Sequence, residues 1–503
     1  MLRASAAIAG LFAATIVVAA GEDRSQKPNV LVVLIDDHPF NLTSVGQPSP
    51  VATPNLQRLA ARSTWFSNAY NDAPICAASR AALLTGVHST RSGIYYNSHA
   101  YRRAPNFISH ATTLPGLFLQ NGYLTAGYGK IGHNTYVRDE ISDFSTGHFK
   151  TLDSVKEGDV TYSNSDLLEH IIPGSLRSIP GKASTSWAWG MLPDQWDRED
   201  PTKLQQDTEQ ANRTIELLRG KHEKPFFAIC GFYRPHIPWI VPKRYFDRFP
   251  LESINLPAGF RADDLEDLPK PGRWIAANRN EHAEIVMAGM WKKCLQGLFA
   301  ATAYVDDQIG RVLDALEASE YHQNTIVVFA TDNGFHTGEK NHWLKFALWE
   351  QTCRVSFAIS VPGMPAQRST TPVSLIDLYP TLVELCRLNP PTTHELDGVN
   401  LVEILAGQRK DRGKPVLSTY GQGNHSLRNE RFRYIRYRNG AEEFYDHHLD
   451  PYEWTNLAAD PVYAAAKADL ARWLPKIEAP DAYPPDINPL RNATWADEAF
   501  IGD

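Results

Sequence analysis

A single cysteine opens the stretch of this chain with the clearest chemical potential. Cys76 is followed by Ala-Ala-Ser-Arg, ending in Arg80, and then by a short apolar run that stops at Gly86. The run has the composition of a helix, and glycine is the usual left-handed residue that ends one. The thiol is therefore predicted at a helix N-terminus, where backbone N–H groups attract negative charge. A nucleophile in that place could attack an anionic substrate.

Oxygen-bearing side chains follow two apolar segments elsewhere in the chain. Asp36 and Asp37 end one such segment, and Asp332 and Asn333 end another. Three carboxylates and one amide suit calcium or magnesium better than zinc, which favours imidazole and thiolate ligands. The alternative is structural: the first pair would cap the next loop, and Asp332 would anchor a turn. The repetition of the pattern favours a metal site.

Cationic and imidazole side chains occur at comparable points of the chain. The set comprises Arg80, Lys130, His133, His236 and Lys345. If these groups meet at the metal, they would hold a dianionic group and stabilise charge that develops on a leaving oxygen. A histidine alone is more often structural than catalytic. Both histidines nevertheless follow predicted strand ends, which favours a functional interpretation.

Four short apolar segments must position these groups. They cover residues 29–35, 124–129, 225–232 and 325–330, and predicted helices such as 207–218 and 294–316 lie between them. A continuous apolar run is typical of a strand covered on both faces of a parallel sheet. The sequence therefore predicts an α/β domain with polar groups at the carboxyl edge of its sheet, where ligands bind in such folds. The alternative is that these strands simply run into polar loops.

The remaining chain divides into an insertion and a second domain. Residues 144–201 are rich in Ser, Gly, Asp and Trp and are predicted to form an irregular insertion above the sheet. Short alternating segments from about residue 411, with an Asn-Gly turn at Asn439, predict an antiparallel α+β domain. We expect a catalytic domain over 22–410 and a smaller domain over 411–503.

The composition restricts the class of protein and the cell compartment. The chain has 503 residues and a formal net charge of −7, without a basic block, which argues against a nucleic-acid partner. Residues 1–21 have one early positive charge, an apolar core and small residues at the end, as in a secretory signal peptide. An uncleaved anchor is the alternative. We expect export to the periplasm or medium, with no stable membrane insertion after cleavage.

The cysteines give no sign of a disulfide framework. Besides Cys76, the chain has Cys230, Cys294, Cys353 and Cys386, without the paired spacing of zinc sites or small disulfide-rich domains. These four are predicted to be small buried residues.

Several motifs together resemble one enzyme family. They are Cys76-Ala77-Ala78-Ser79-Arg80 with Leu84-Thr85-Gly86, Asp36-Asp37, Gly129-Lys130 with His133, Arg234-Pro235-His236, Asp332-Asn333-Gly334, Trp343-Leu344-Lys345, and Asp450-Pro451 with Asn456-Leu457. This set is similar to that of the type I sulfatases, and most similar to iduronate-2-sulfatase-like proteins. The resemblance implies an alkaline-phosphatase-like large domain, with a mostly parallel sheet flanked by helices, and a C-terminal antiparallel sheet.

The resemblance also implies a modified residue and a metal. Cys76 would be oxidised to formylglycine (3-oxoalanine) by a dedicated maturation enzyme. One Ca²⁺ would be held by Asp36, Asp37, Cys76, Asp332 and Asn333. The chain departs from the usual motif at Ala78, where proline is common, and has Asn333 where some relatives have histidine.

The family mechanism assigns a role to each remaining group. The hydrated aldehyde would attack sulfur while Asp332 or the metal helps to remove its proton. His236, with Lys345, would protonate the departing sugar oxygen. His133 would then deprotonate the second hydroxyl, which expels sulfate and restores the aldehyde.

Two further roles concern binding. Lys130 and Lys345 would bind sulfate oxygens, and Arg80 would hold the hydrated aldehyde.

The implied substrate is a sulfated uronic acid or another carbohydrate sulfate. His236, Phe335 and His336 are candidate substrate contacts, together with the aromatic residues Trp187, Trp189 and Trp239. For each aromatic residue, burial as a packing residue is an equally good interpretation.

Two other functions remain open at this point. One is a phosphate or phosphonate ester hydrolase of the alkaline-phosphatase-like group, which would commonly use two zinc ions and more histidine ligands. The other is a non-catalytic carbohydrate-binding relative with unmodified Cys76. A binding protein would not need both His133 and His236 for proton transfer.

Overall fold

The computed structural model describes nine stretches of the chain. They are residues 27–97, 101–133, 140, 143–145, 170–171, 188–192, 206–277, 281–476 and 478–482. The predicted signal peptide over 1–21, most of the predicted insertion over 144–201, and Trp187 lie outside the described residues. No helix among the described residues is both long and apolar enough to cross a membrane.

The strands of the described chain follow one another in this order: β1 (Asn29–Ile35), β2 (Thr64–Tyr70), β3 (Leu124–Gly129), β4 (Asp143–Ser145), β5 (His170–Ile171), β6 (Ala188–Leu192), β7 (Phe226–Gly231), β8 (Trp239–Pro242), β9 (Thr325–Thr331), β10 (His336–Thr337), β11 (Trp343–Leu344), β12 (Arg354–Ser360), β13 (Gln367–Ser369), β14 (Val373–Ser374), β15 (Val416–Thr419), β16 (His425–Arg428), β17 (Phe432–Arg436) and β18 (Glu442–Asp446).

The α-helices lie between them: α1 (Pro54–Ala60), α2 (Cys76–Thr85), α3 (Ser89–Ser92), α4 (Leu114–Gln120), α5 (Gln206–Arg219), α6 (Lys243–Phe246), α7 (Lys270–Ala277), α8 (Glu281–Met287), α9 (Trp291–Glu317), α10 (Glu350–Cys353), α11 (Leu378–Leu385), α12 (Val402–Leu405) and α13 (Ala464–Ala471). The helices predicted over 207–218 and 294–316 are confirmed as α5 and α9.

The central sheet contains all four predicted apolar strands. Its order is β13-β2-β12-β9-β1-β7-β3-β4, and β14 also pairs with β2. Strand β1 is parallel to both of its neighbours, β7 and β9, whereas β12 runs antiparallel to β2 and β9. The predicted mostly parallel sheet is therefore confirmed. Strands β2 and β12 were not predicted, and they extend the sheet beyond β9.

Strand β1 shows why the apolar run is continuous. Val30, Val32 and Leu34 pack into a core that includes residues of α2, α4 and α11, whereas the alternate residues Leu31 and Val33 pack into a second core with residues of α1, α5 and α9. Every residue of β1 is buried. A strand covered by helices on both faces has no solvent side, so it needs no polar alternation.

The parallel strands bring the polar residues to one edge. Strands β1, β3, β7 and β9 run in the same direction, and their pairing aligns Ile35 with Thr331 and Gly129 with Gly231. The residues that follow these positions therefore begin at a common edge. Short loops from that edge carry the candidate site.

The C-terminal region forms a separate antiparallel sheet, as predicted. Its order is β15-β16-β17-β18, and Leu470 of α13 packs with Leu427, Tyr434 and Phe444 of that sheet. Strand β16 was not predicted. The predicted turn at Asn439 joins β17 to β18, with Gly440 in the left-handed region at φ 90°.

Candidate active site

Helix α2 begins at Cys76 and has the end that the sequence predicts. Ile75 before it is extended, and Gly86 after it is left-handed at φ 69°. The N–H of Gly86 donates to the carbonyl of Ala82 at 2.7 Å. Every residue of α2 is buried, including Cys76. The thiol is thus fixed at the start of a helix that the core encloses.

Three carboxylates meet beside this thiol. The Sγ atom of Cys76 lies 3.4 Å from Oδ1 of Asp36 and 3.6 Å from Oδ1 of Asp37. The backbone N–H of Asp37 donates to Oδ1 of Asp332 at 3.2 Å. Carboxylate oxygens of these three residues lie within 4.8 Å of one another. The ends of β1 and β9 therefore form one acidic cluster, as the sequence predicts.

Three buried cations balance the acidic cluster. Lys130 forms an ion pair with Asp36. The Nζ atom of Lys345 lies 2.6 and 2.8 Å from the two carboxylate oxygens of Asp37. The third cation is Arg80, whose Nε donates to Asp332 at 2.8 Å. Each carboxylate thus has its own cation, which allows three negative charges to remain at such short distances inside the protein.

These pairs decide the charge state of the carboxylates. Burial alone would raise the pKa of Asp37, but Lys345 and then His236 outweigh it and hold that pKa below its usual value. Burial likewise raises the pKa of Asp36, and Lys130 and His236 reverse the effect. Both side chains are therefore carboxylates at neutral pH, which is the form that binds a cation.

The same surroundings shift the pKa of the Cys76 thiol in the opposite direction, upward. Burial, followed by the charge of Asp36, raises the pKa of Cys76 well above its usual value. The Nζ atom of Lys345 lies only 2.6 Å from Sγ but does not reverse the shift. Cys76 therefore remains a neutral thiol near pH 7. A thiolate nucleophile, which the helix N-terminus alone suggests, does not form here.

The two predicted histidines lie at the same cluster. Nε2 of His236 is 3.4 Å from Oδ2 of Asp37. Burial lowers the pKa of His236, although Asp37 and Asp36 oppose this shift. Burial also lowers the pKa of His133 well below its usual value, and the charges of Lys130 and Lys345 add to the effect. Burial, with the neighbouring cations, thus keeps the His133 ring neutral, in the form that can accept a proton.

The donor set at the strand ends fits a hard divalent cation. The three carboxylates supply charged oxygens, and Oδ1 of Asn333 is buried without a hydrogen-bond partner among the described residues. The amide nitrogen of the same side chain donates to Asp37 at 2.7 Å. An unsatisfied amide oxygen beside carboxylates is a suitable ligand for calcium or magnesium. Asp36, Asp37, Asp332 and Asn333 are the residues that would hold such an ion.

Other predicted substrate contacts do not join this cluster. Phe335 packs against Trp343 in a hydrophobic core, and Nδ1 of His336 donates to the carbonyl of Glu339 at 3.1 Å. Trp239 is fully buried, and its indole N–H donates to the carbonyl of Pro235. The packing interpretation is correct for Trp239. The positions of Phe335 and His336 do not support the predicted sugar contacts, because their side chains face protein.

Trp189 lies in β6, whose backbone pairs with β8.

Two residues that shape the site were missed from the sequence. Asp207 of α5 accepts from the backbone N–H groups of Tyr233 and Arg234, at 2.7 and 2.9 Å, and so holds the loop that carries His236. Asn97 accepts from the N–H of Ala77 at 2.9 Å, which satisfies a free donor in the first turn of α2. Both act on backbone atoms far away in the sequence, so no local motif marks them.

Two protein-family models together match most of the chain. A sulfatase family model matches residues 28–388. A second model, for the C-terminal region of N-sulphoglucosamine sulphohydrolase, matches residues 338–479. The two matches overlap over residues 338–388, which include strands β12, β13 and β14 of the central sheet.

Individual relatives agree with the family match. A sulfatase of Formosa agariphila is 34% identical over 94% of this chain and 88% of its own length. Human iduronate 2-sulfatase is 27% identical, over 84% of this chain and 78% of its own length. The predicted resemblance to iduronate-2-sulfatase-like proteins therefore has a counterpart among known relatives.

Structural comparison shows the fold. A phosphonate monoester hydrolase of Agrobacterium radiobacter superposes with a TM-score of 0.66 at 21% identity, covering 89% of this chain and 94% of that one. The alkaline-phosphatase-like fold predicted from the sequence is thus confirmed, but this fold supports more than one ester chemistry. The sequence matches decide between them: this chain belongs to the sulfatase family of sulfuric ester hydrolases.

Proposed function

We propose that this enzyme removes sulfate from a carbohydrate, with a sulfated uronic acid as the first candidate. The observation that carries the proposal is the meeting of Cys76, Asp37 and Lys345, which places the modifiable residue against a metal-type carboxylate and a cation. The name of the human relative, iduronate 2-sulfatase, supports a uronic acid substrate. The motifs that resemble iduronate-2-sulfatase-like proteins support the same class.

The proposal includes maturation of Cys76 to formylglycine, a modification that sulfatases generally use. The raised pKa of the buried thiol supports it, since the unmodified residue would be a poor nucleophile. When present, the hydrated aldehyde supplies an oxygen nucleophile and a second hydroxyl for sulfate release. Its partner is a formylglycine-generating enzyme that must accept Ala78, which is buried in α2.

We further propose that the ion is Ca²⁺, in a single site. Asp36, Asp37, Asp332 and Asn333 would hold it together with the oxygen that replaces the sulfur of Cys76. Their all-oxygen donor set supports calcium over zinc. The bound cation would supply charge stabilisation at the sulfuryl oxygens.

The cations would bind the sulfate group. Lys130 and Lys345 are both buried and both directed at the acidic cluster beside Cys76, where a sulfate group attacked by the residue at position 76 would lie. Arg80 is fixed by Asp332 and by the carbonyl of Lys130 at 2.5 Å. It would therefore act as a rigid support for the residue at position 76.

The histidines would divide the proton transfers. His236 is partly exposed and lies 3.4 Å from Asp37, and the charges of Asp37 and Asp36 oppose the effect of burial on its pKa, so it is the histidine whose surroundings favour carrying a proton. We assign it the protonation of the leaving sugar oxygen, with help from Lys345. His133, kept neutral by its surroundings, is assigned the deprotonation that releases sulfate.

The proposal extends to compartment and domain division. The composition of residues 1–21 supports export to the periplasm or medium, with a mature chain starting near Glu22. The separate sheet β15–β18 supports a catalytic domain over 22–410 and a C-terminal domain over 411–503. Terminal sequencing of the exported protein would test the first point.

Release of inorganic sulfate tests the function directly. The protein matured in its host would be given a sulfated uronic acid disaccharide, and 4-nitrophenyl sulfate, phosphate and phosphonate esters with a common leaving group. Sulfate esters should be the preferred substrates, and Cys76→Ala should abolish their turnover. A preference for the phosphate or phosphonate ester would support the alternative hydrolase. Carbohydrate binding without any turnover would support the non-catalytic relative.

A further inference from the structure

The backbone that carries Lys345 is strained on both sides. Leu344 has φ 78° and Phe346 has φ 76°, although both residues have large side chains. Such residues occupy the left-handed region only where the surrounding structure enforces it. The conformation turns the side chain of Lys345 inward, where its Nζ contacts Asp37 and Cys76. Contacts from neighbouring segments must therefore stabilise the backbone of residues 344–346.

Two hydrogen bonds hold the backbone of residues 344–346 in this conformation. On its C-terminal side, the N–H of Phe346 donates to the carbonyl of Pro74, two residues before Cys76. At its centre, Nε2 of His342 lies 2.9 Å from the carbonyl oxygen of Lys345. A carbonyl only accepts, so the imidazole ring is the donor in this contact.

His342 is itself held firmly. Its ring is buried, and Nδ1 lies 3.2 Å from the carbonyl oxygen of Ala276, the penultimate residue of α7. This contact is a second hydrogen bond only when both ring nitrogens carry a proton. The ring of His336 packs edge-on against it at 5.2 Å. His342 thus connects the end of one helix to the backbone of the lysine at the site. Within the described part of the chain, its ring is not in contact with Asp36, Asp37 or Cys76.

We propose that His342 is a positioning residue for the sulfatase reaction, which it serves by holding the carbonyl of Lys345 so that the ammonium faces position 76. The proposal rests on the role of Lys345 proposed above. It differs from that role because the described contacts of His342 reach the backbone of Lys345, and not the proposed metal ligands or position 76. Loss of its Nε2 donor would leave the strained turn without its central hydrogen bond.

Two variants separate the two ring contacts. His342→Asn keeps a donor near the position of Nδ1 but is too short to reach Lys345. His342→Gln instead places a donor near the position of Nε2. We expect His342→Asn to lower kcat for a sulfate ester by about 10-fold to 100-fold, the usual cost of a small misplacement at a reacting centre. His342→Gln should remain within roughly threefold of the unaltered enzyme, as expected when the donor is retained.

A third variant controls for the loss of any histidine–carbonyl contact. In the unaltered protein, Nε2 of His222 lies 2.7 Å from the carbonyl oxygen of Leu217. His222→Asn removes this contact, which involves none of the residues of the acidic cluster. This variant should keep kcat unchanged. Equal losses in His342→Asn and His342→Gln would overturn the proposal, because they would indicate a general packing role.

A crystal structure of His342→Asn gives a readout that does not depend on activity. We expect the Lys345 ammonium to leave hydrogen-bond distance of Asp37 while α7 stays in place. An ammonium still bound to Asp37 would refute the positioning role.

Sulfate release by the unaltered enzyme separately tests the proposed function, so failure of one proposal is distinguishable from failure of the other. If His342→Asn does not fold, a structure of His342→Gln with a displaced ammonium would equally refute the inference.

Discussion

The Nζ atom of Lys345 lies 2.6 Å from the Sγ atom of Cys76, in a site where both side chains are buried. Asp37 holds the same ammonium and, against the effect of burial, raises the pKa of Lys345 well above its usual value. The lysine is therefore a permanent positive charge at neutral pH. Any oxygen built at position 76 would lie directly beside it.

Removal of this charge should impair catalysis strongly. Lys345→Met keeps most of the side-chain volume and should lower kcat by roughly 100-fold or more, since one preorganised donor is lost where charge develops. Steady-state kinetics on a sulfate ester measures this. Lys243→Met, at an exposed lysine paired with Asp247, is the matched control and should change little. Similar rates for Lys345→Met and the unaltered enzyme would exclude a role for this ammonium.

Metal removal should inactivate the enzyme reversibly. Dialysis against a chelator should abolish sulfate release, and Ca²⁺ should restore it, because the buried carboxylates form an oxygen-donor site. Elemental analysis should find one ion per chain. Asn333→Ala should weaken metal binding, whereas Asn68→Ala, at an asparagine that donates to the carbonyl of Thr370, should not. Two zinc ions per chain would contradict the single-calcium proposal and favour the phosphatase-type alternative.

Acid sensitivity should depend on His282. Burial lowers the pKa of His282 from 6.5 to about 4, with a further contribution from His342. The unfolded chain therefore binds a proton at higher pH than the folded protein does, so the free energy of unfolding falls as the pH drops from 6.5 to about 4. His282→Phe preserves aromatic packing with Phe260 and Trp291.

Melting temperatures at pH 7.5 and pH 5 would measure this effect. The difference between the two temperatures should be smaller in His282→Phe than in the unaltered protein, since the variant has no ring to protonate at position 282. His448→Phe, at an exposed histidine, should retain the full difference. An unchanged difference in His282→Phe would show that other groups cause the acid sensitivity.

A buried ion network connects the C-terminal sheet to the large domain. Arg433 of β17 forms ion pairs with Glu350 of α10 and, at 2.5 Å, with Glu453. Arg433→Met should lower the free energy of unfolding by up to about 3–5 kcal/mol, the usual cost of removing one partner from a buried ion pair. Glu350 keeps the more distant Arg428, and Glu453 keeps His447. Urea denaturation measures the change. Arg472→Met breaks an exposed pair with Asp469 and should have little effect. A loss below 1 kcal/mol for Arg433→Met would indicate that the network contributes little.

The sequence predicts the part of the fold that continuous apolar runs encode. Strand β1 is buried on both faces, so its composition alone indicates a central strand, and Asp36 must follow at the sheet edge. Strand β2 is also largely buried but contains Ser67 and Asn68, which interrupt the apolar pattern. Its place in the sheet depends on pairing with β12, which lies almost 300 residues further along the chain. No local signal records that pairing.

The same distinction applies to the candidate site. Lys130 and Asp332 could be assigned to it because they follow predicted strands directly. Asp207 and His342 could not, because they act by hydrogen bonds to the backbone of other segments. Phe335 shows the converse case: it follows the metal-type pair in sequence, but the chain turns its ring into a hydrophobic core.

The proposed mechanism depends on an oxygen nucleophile made from Cys76. Mass spectrometry of the peptide that contains this residue, from protein isolated from its native host, would detect the modification. We expect the mass of an aldehyde at position 76, which reacts with a hydrazine reagent. An unmodified thiol in protein that releases sulfate at full rate would refute the oxygen nucleophile.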